Sequence, residues 1–79
     1  VNYQLPEAGN VNITIYNVLG QRVRTMMNGV QSPGYYSLQW NGTDDSGKPL
    51  SSGMYLYRME AVTGAKQKFV NIKKMLLIK

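Results

Sequence analysis

Cysteine and histidine are both absent from this chain of 79 residues. Their absence excludes a disulfide framework, a thiolate metal site, a thiolate nucleophile and the side chain that most often acts as a general base. Acidic residues are also scarce, since the only carboxylate side chains belong to Glu7, Asp44, Asp45 and Glu60. Paired catalytic carboxylates must face each other across a cleft, and the positions of these four residues build no such pair. We therefore predict that the chain is not an enzyme and holds no cofactor and no metal ion.

Long apolar runs are missing as well. The longest, Met75 to Ile78, is far shorter than the roughly 20 residues that a membrane-spanning helix needs. The sequence also has no signal-peptide pattern, so we expect no stable membrane insertion. Because it starts directly in a strand-like segment, Val1 to Leu5, we expect residues 1–79 to form a single domain at the end of a longer secreted protein.

Basic residues outnumber acidic ones by nine to four, which gives a net charge of +5. The last fourteen residues contain five lysines and no acidic residue; these are Lys66, Lys68, Lys73, Lys74 and Lys79. Such a patch can attract nucleic acid or anionic lipid, or it can solvate an exposed edge strand and discourage edge-to-edge pairing. The sequence has no recognition helix, zinc-finger spacing or ribonucleoprotein-type aromatic motif, which favours the second interpretation. We predict that nucleic acid is not a partner.

Apolar and polar residues alternate with a period of two between turn clusters, a pattern typical of strands and not of helices. It predicts about seven short strands and essentially no helix, which favours an all-β, immunoglobulin-like antiparallel β-sandwich. The predicted strands are Val1–Leu5, Val11–Tyr16, Gln21–Met27, Tyr36–Trp40, Met54–Ala61 and one long or two consecutive strands over residues 66–78. The predicted turns are Asn17–Gly20, Asn28–Gly29, Pro33–Gly34 and Thr63–Gly64.

The alternation also predicts which side chains face the core. Val23 is expected to point inward, and Arg22 and Arg24 are expected to point to solvent. Trp40 is expected in the middle of the core, as the largest single contributor of buried area. Apolar side chains on both faces of the segment Met54–Ala61 predict that it is a central strand.

Two groups of residues have both a functional and a structural interpretation. The oxygen-rich loop 41–47 could bind calcium, but it lacks the spacing of an EF-hand, and Asp and Asn in such loops more often cap their own turns. Aromatic side chains could form a stacking platform for sugar or single-stranded nucleic acid, although aromatics are common in strands. The residues concerned are Tyr16, Tyr35, Tyr36, Tyr55 and Tyr57. In both cases we favour the structural interpretation.

The order of several segments resembles the C-terminal sorting domain that type IX secretion systems recognise on exported proteins. The matching segments are Tyr3–Pro6, Val11–Gly20, Gly34, Trp40-Asn41-Gly42, Gly53–Arg58 and Lys73–Lys79. The last of them is the most informative, because a basic pair leads into a dense apolar strand that stops one lysine from the chain end.

This resemblance implies an Ig-like sandwich that directs an N-terminal cargo domain through the periplasm and across the outer membrane. The partners it implies are the type IX translocon and a surface sortase-like peptidase, and the implied location is secreted or cell-surface. The last strand would carry the signal, so the candidate recognition residues are Lys73, Lys74, Met75, Leu76, Leu77, Ile78 and Lys79. The resemblance further identifies Trp40, Gly42, Gly53, Tyr55 and Tyr57 as structural motif positions.

The same pattern also resembles the Ig-like domain of the flagellar hook-capping protein, in which a Trp-Asp-Gly turn precedes Gly-x-Tyr. Here Asn41 stands at the position of the Asp. That resemblance implies an assembly module and not an export tag. A third possibility is an accessory carbohydrate-binding or spacer domain of an extracellular hydrolase. The basic and apolar ending of the chain favours the sorting interpretation.

Overall fold

Six β-strands and no helix lie in residues 2–64 and 66–78, the part of the chain that the computed structural model describes. The strands are β1 (Asn2–Leu5), β2 (Gly9–Tyr16), β3 (Arg22–Gln31), β4 (Gly34–Ser37), β5 (Gly53–Thr63) and β6 (Lys68–Leu77). They form a two-stranded sheet of β1 and β4 and a four-stranded sheet in the order β3-β2-β5-β6. All pairings are antiparallel. The prediction of an antiparallel β-sandwich is confirmed.

The core lies between the two sheets and is built mainly from alternate residues of β2 and β5. Val11, Ile13 and Ile15 are fully buried, and they face the same side as the buried Tyr57 and Met59 across the β2–β5 pairing. Because side chains alternate between the faces of a strand, the apolar period of two delivers each of these residues to the inner face. The smaller sheet adds Leu5, which packs in the same cluster as Val11 and Ile13.

The number and boundaries of the strands differ from the prediction. β6 is a single strand, and β4 ends at Ser37 before Leu38 and Trp40, so the described residues contain six strands and not about seven. Asn28 and Gly29 do not form a turn, because both lie within β3 and pair with Asn12 and Val11. The hydrogen-bonded ladder with β2 overrides their local turn preference.

The alternation predicted that Arg24 points to solvent, and this prediction is wrong. The register between β2 and β3 shifts twice, so that Ile13 is opposite Met27 while Ile15 is opposite Arg24. An extra residue in one strand reverses the face on which the following side chains lie. Arg24 is therefore half-buried, and its Nη1 atom donates hydrogen bonds to Thr43 Oγ1 at 2.6 Å and to the Asp44 carbonyl at 3.1 Å.

Trp40 does not occupy the middle of the core. It is half-buried and packs against a second cluster formed by Ile15, Tyr55 and Tyr57. Its indole Nε1 donates a hydrogen bond of 2.9 Å to the carbonyl of Thr43. Trp40 follows the end of β4 by three residues and packs at one end of the sandwich. The fully buried aliphatic residues fill the centre.

Candidate functional site

The candidate recognition residues lie on β6, which forms one edge of the larger sheet. β6 pairs with β5 over ten residue pairs, from Gly53 opposite Leu77 to Val62 opposite Lys68. On its other side it pairs with no strand in the described part of the chain. An edge strand of this length presents a row of backbone donors and acceptors to solvent, and such an edge can accept another strand.

The opposite edge of the sheet, formed by β3, is hydrogen-bonded by the polar loop 41–52 near its first residues. The amide of Thr25 donates to the Asp45 side chain at 2.9 Å, and the amide of Asp45 donates to the Val23 carbonyl at 3.1 Å. These two bonds use backbone groups of β3 that would otherwise be open to a partner strand. The two edges are thus unequal, and β6 is the more accessible.

The candidate recognition residues of β6 divide between the two faces of the sheet. Lys73, Met75 and Leu77 face the inner side, opposite Tyr57, Tyr55 and Gly53. Met75 and Leu77 are half-buried and pack against the second core cluster. Lys74 and Leu76 face the outer side, and Leu76 is 67% exposed. Ile78 follows the strand and is exposed, while Lys79 lies outside the described residues.

This division separates residues that hold β6 in place from residues that a partner can reach. Met75 and Leu77 contribute packing, whereas Lys73, Lys74, Leu76 and Ile78 are exposed. The sequence placed all of them in one group, because a dense apolar run does not reveal which side chains meet the core.

Leu77 is also held by a contact that the sequence did not predict. Gly42 has a φ of +77°, and a Cβ atom at this position would lie 3.0 Å from Leu77 Cδ1. Only glycine combines this left-handed backbone conformation with so close an approach. Gly42 thus brings the polar loop 41–52 into contact with the end of β6.

The other structural motif residues surround the same end of the sandwich. Tyr55 and Tyr57 are buried. The Tyr55 hydroxyl donates to the Ser51 carbonyl at 2.7 Å, and its ring meets that of Trp40 edge-on, with 5.1 Å between the centroids. Gly53 starts β5 opposite Leu77. These contacts fix the position of the last residues of β6.

The charges along β6 are mostly unpaired at its C-terminal end. Lys68, near the start, lies with its Nζ 3.3 Å from Glu60 Oε1, and Arg58 approaches Glu60 Oε2 at 2.7 Å. Hydrogen bonds from Arg58 and then Lys68 lower the pKa of Glu60 below its ordinary value. Among the described residues, no carboxylate lies within salt-bridge distance of Lys73 or Lys74. This end of the strand therefore presents basic charge to solvent.

The polar loop 41–52 uses the carboxylate of Asp44 to build a turn. Asp44 Oδ1 accepts hydrogen bonds from the Ser46 amide at 3.0 Å, the Ser46 hydroxyl at 2.8 Å and the Lys48 amide at 2.9 Å. These bonds, chiefly those from Ser46, lower the pKa of Asp44. Within residues 2–64 and 66–78, no three acidic side chains converge as a metal site would require. The geometry favours the turn-forming interpretation over calcium binding.

Comparison with known proteins agrees with the fold. The model of the FlgD Ig-like domain family matches residues 1–65. The chain belongs to the FlgD Ig-like domain family. The crystal structure of FlgD from P. aeruginosa superimposes with a TM-score of 0.71 at 26% sequence identity, covering 95% of this chain and 57% of that chain. No curated protein matches the sequence.

Membership of the FlgD Ig-like family confirms the immunoglobulin-like sandwich and the resemblance to the hook-capping protein. It does not extend to type IX sorting, which stays a prediction. The matched residues include β1 to β5 and end before β6, which starts at Lys68. The superposition on FlgD, by contrast, covers 95% of the chain and therefore includes most of β6.

In the described residues, no helix is long and apolar enough to span a membrane.

Proposed function

We propose that the chain is a non-catalytic Ig-like module that docks to a protein partner through the open edge of β6. The observation that carries this proposal is the difference between the two sheet edges. Loop 41–52 hydrogen-bonds to β3, whereas β6, within the described residues, pairs with no strand on the side away from β5. Main-chain hydrogen bonds to such an edge supply affinity, and side chains on alternate positions supply specificity.

Membership of the FlgD Ig-like domain family favours a structural or assembly role for this module, as in the hook-capping protein. A module of this kind holds its own protein in a larger assembly or spaces its domains. An accessory domain of an extracellular hydrolase would use the fold in the same way. Each version predicts that the β6 surface is covered in the full-length protein's native assembly.

A photo-crosslinking amino acid placed at Leu76 tests this docking surface, because Leu76 is exposed on β6. The matched control position is Val30, which is exposed on β3 at 79%. We expect an adduct of discrete mass from position 76 and none from position 30 in cells that express the full-length protein. Adducts from position 30 alone would place the partner on the other edge and contradict the proposal.

The second candidate function is a C-terminal sorting signal for type IX secretion. The observation that favours it is the end of β6, where Lys73, Lys74 and Leu76 are exposed and lie beyond the residues that the family match covers. In this case the partners are the type IX translocon and a surface sortase-like peptidase, and the cargo reaches the cell surface or the medium.

Export of a reporter tests the sorting function. Residues 1–79 are fused to the C-terminus of a folded reporter with a Sec signal, in a bacterium with a working type IX system. Lys73→Ala/Lys74→Ala is compared with Arg22→Ala/Lys48→Ala, which removes the same charge away from β6. We expect export of the parent and the control and periplasmic retention of the β6 variant. Retention of all three rejects sorting and leaves the assembly module.

A further inference from the structure

The two sheets of the sandwich are unequal, and the smaller one leaves part of the larger one uncovered. β1 and β4 face four strands. Across the β5–β6 pairing, Ala61, Met59 and Tyr57 are buried, whereas their partners Phe69, Asn71 and Lys73 are exposed. The smaller sheet thus covers β5 but leaves the inner face of β6 open from Phe69 to Lys73.

A groove of about 700 Å³ fills the space between β1 and β6. Its lining includes Tyr3, Leu5, Met59, Ala61, Phe69 and Asn71. Three of these, Leu5, Met59 and Ala61, are core residues, so the groove reaches down to the core. Its volume lies within the range of specific ligand sites, and its walls combine apolar and polar groups.

One side of the groove is a strand edge. β1 pairs with β4 on one side and, in the part of the chain that the structure describes, with no strand on the other. A strand added there would lie about 4.8 Å from β1, and packed sheets are about 10 Å apart. These spacings place an added strand directly over the exposed inner face of β6. The groove therefore has the shape of a missing third strand of the smaller sheet.

One basic side chain without a salt bridge in the described residues lies at the end of the groove. Lys73 follows two residues after Asn71 on the same face, whereas Lys68, which lines the groove, forms a salt bridge with Glu60. No acidic residue lines the groove, and the whole chain carries a net charge of +5. An occupant with acidic side chains would be attracted, and one with basic side chains would be repelled.

We propose that this groove binds an extended peptide segment of a partner protein, which adds to β1 as the third strand of the smaller sheet. Phe69, Asn71 and Lys73 lie at every second position of β6, so they meet every second residue of the peptide. The peptide side chain over Phe69 is apolar, and the one nearest Lys73 is acidic. The site is distinct from the outer edge of β6, and the inference does not rest on the function proposed above.

Selection from a phage-displayed library of linear octapeptides against the 79-residue chain tests this inference. The blocking variant is Asn71→Trp, whose side chain would fill the groove. The matched control is Ile72→Trp, at the neighbouring position on the outer face of the same strand. We expect the selected peptides to combine apolar and acidic residues at alternate positions. Their affinity should fall at least tenfold for Asn71→Trp and stay within twofold for Ile72→Trp.

Amide chemical shifts of the unmodified chain give a second measurement that needs no variant. Addition of a selected peptide should shift the amides of Asn2–Leu5 and Phe69–Asn71. Replacing the acidic residues of the peptide by amides should weaken its binding, as should Lys73→Ala. A selection without enrichment over background, equal binding to both tryptophan variants, or shifts confined to Lys74 and Leu76 would each overturn the inference.

Discussion

At the scale of single residues, Gly9 holds β2 and β5 at their observed separation. A Cβ atom at this position would lie 2.5 Å from the carbonyl oxygen of Val62, a backbone atom that no rotamer change can move. We expect Gly9→Ala to lower the free energy of unfolding by about 1–3 kcal/mol, the usual cost of overpacking. The control is Gly29→Ala in β3, whose Cβ would meet only Met27 Cε at 3.7 Å. Urea denaturation compares the two, and equal stabilities would contradict this account of the close approach.

Asp44 gives a prediction for the dependence of stability on pH. Its folded pKa lies below the ordinary value of 3.8, because Ser46 and the Lys48 amide donate to the ionised carboxylate. The resulting stability is complete above pH 3.8 and is lost as the pH falls through the lowered folded pKa. We expect Ser46→Ala to raise the pKa of Asp44 in an NMR titration. We also expect Asp44→Ala to flatten the acid side of the stability profile, and an unchanged profile would show that the loop does not depend on this carboxylate.

At the scale of elements, the sequence predicted the strands that keep a strict alternation. β2 and β5 lie where the apolar period of two placed them, and β5 is the central strand that its two apolar faces indicated. β3 could not be predicted equally well, because its two register shifts are set by pairing with β2 and reverse the expected face of Arg24. Local periodicity carries no information on such bulges.

The sequence predicted that β6 lies at an edge of the sheet, but not how its residues divide between the two faces. The basic and apolar ending indicated an exposed edge strand, and β6 is one. The sequence could not show that Leu77 packs beneath Gly42, since this contact joins residues far apart in the chain. Nor could it show the groove beside β1, which depends on how many strands the smaller sheet has.

Leu76 and Leu77 form a matched pair that separates the two roles of β6. Leu77 is half-buried against the second core cluster, whereas Leu76 lies on the outer face and is 67% exposed. We expect Leu77→Ala to cost about 1–3 kcal/mol, less than a fully buried leucine, and Leu76→Ala to stay within about 0.5 kcal/mol. Urea denaturation measures both. Equal costs would show that the end of β6 does not pack on the sandwich.

At the scale of the whole molecule, the described residues form an elongated sandwich of 39 × 20 × 20 Å, in which a loop bonds part of the β3 edge and no strand pairs with the β6 edge. An open edge with exposed apolar residues favours self-association unless charge prevents it. Ile72 and Leu76 are exposed on β6, and Lys73 and Lys74 lie beside them. We therefore expect the lysine pair to keep copies of the chain apart, whether or not it is also recognised by a partner.

Substitution of both lysines by valine tests this role. Lys73→Val/Lys74→Val lowers the net charge by two and raises the β-propensity of the edge. We expect the variant to form dimers or larger species through β6 in sedimentation velocity at increasing concentration. The control, Arg22→Val/Lys48→Val, removes the same charge from β3 and the polar loop and should remain a monomer under the same conditions. Association of both variants would attribute the effect to net charge alone, whereas a monomeric β6 variant would show that the edge is protected by something other than its lysines.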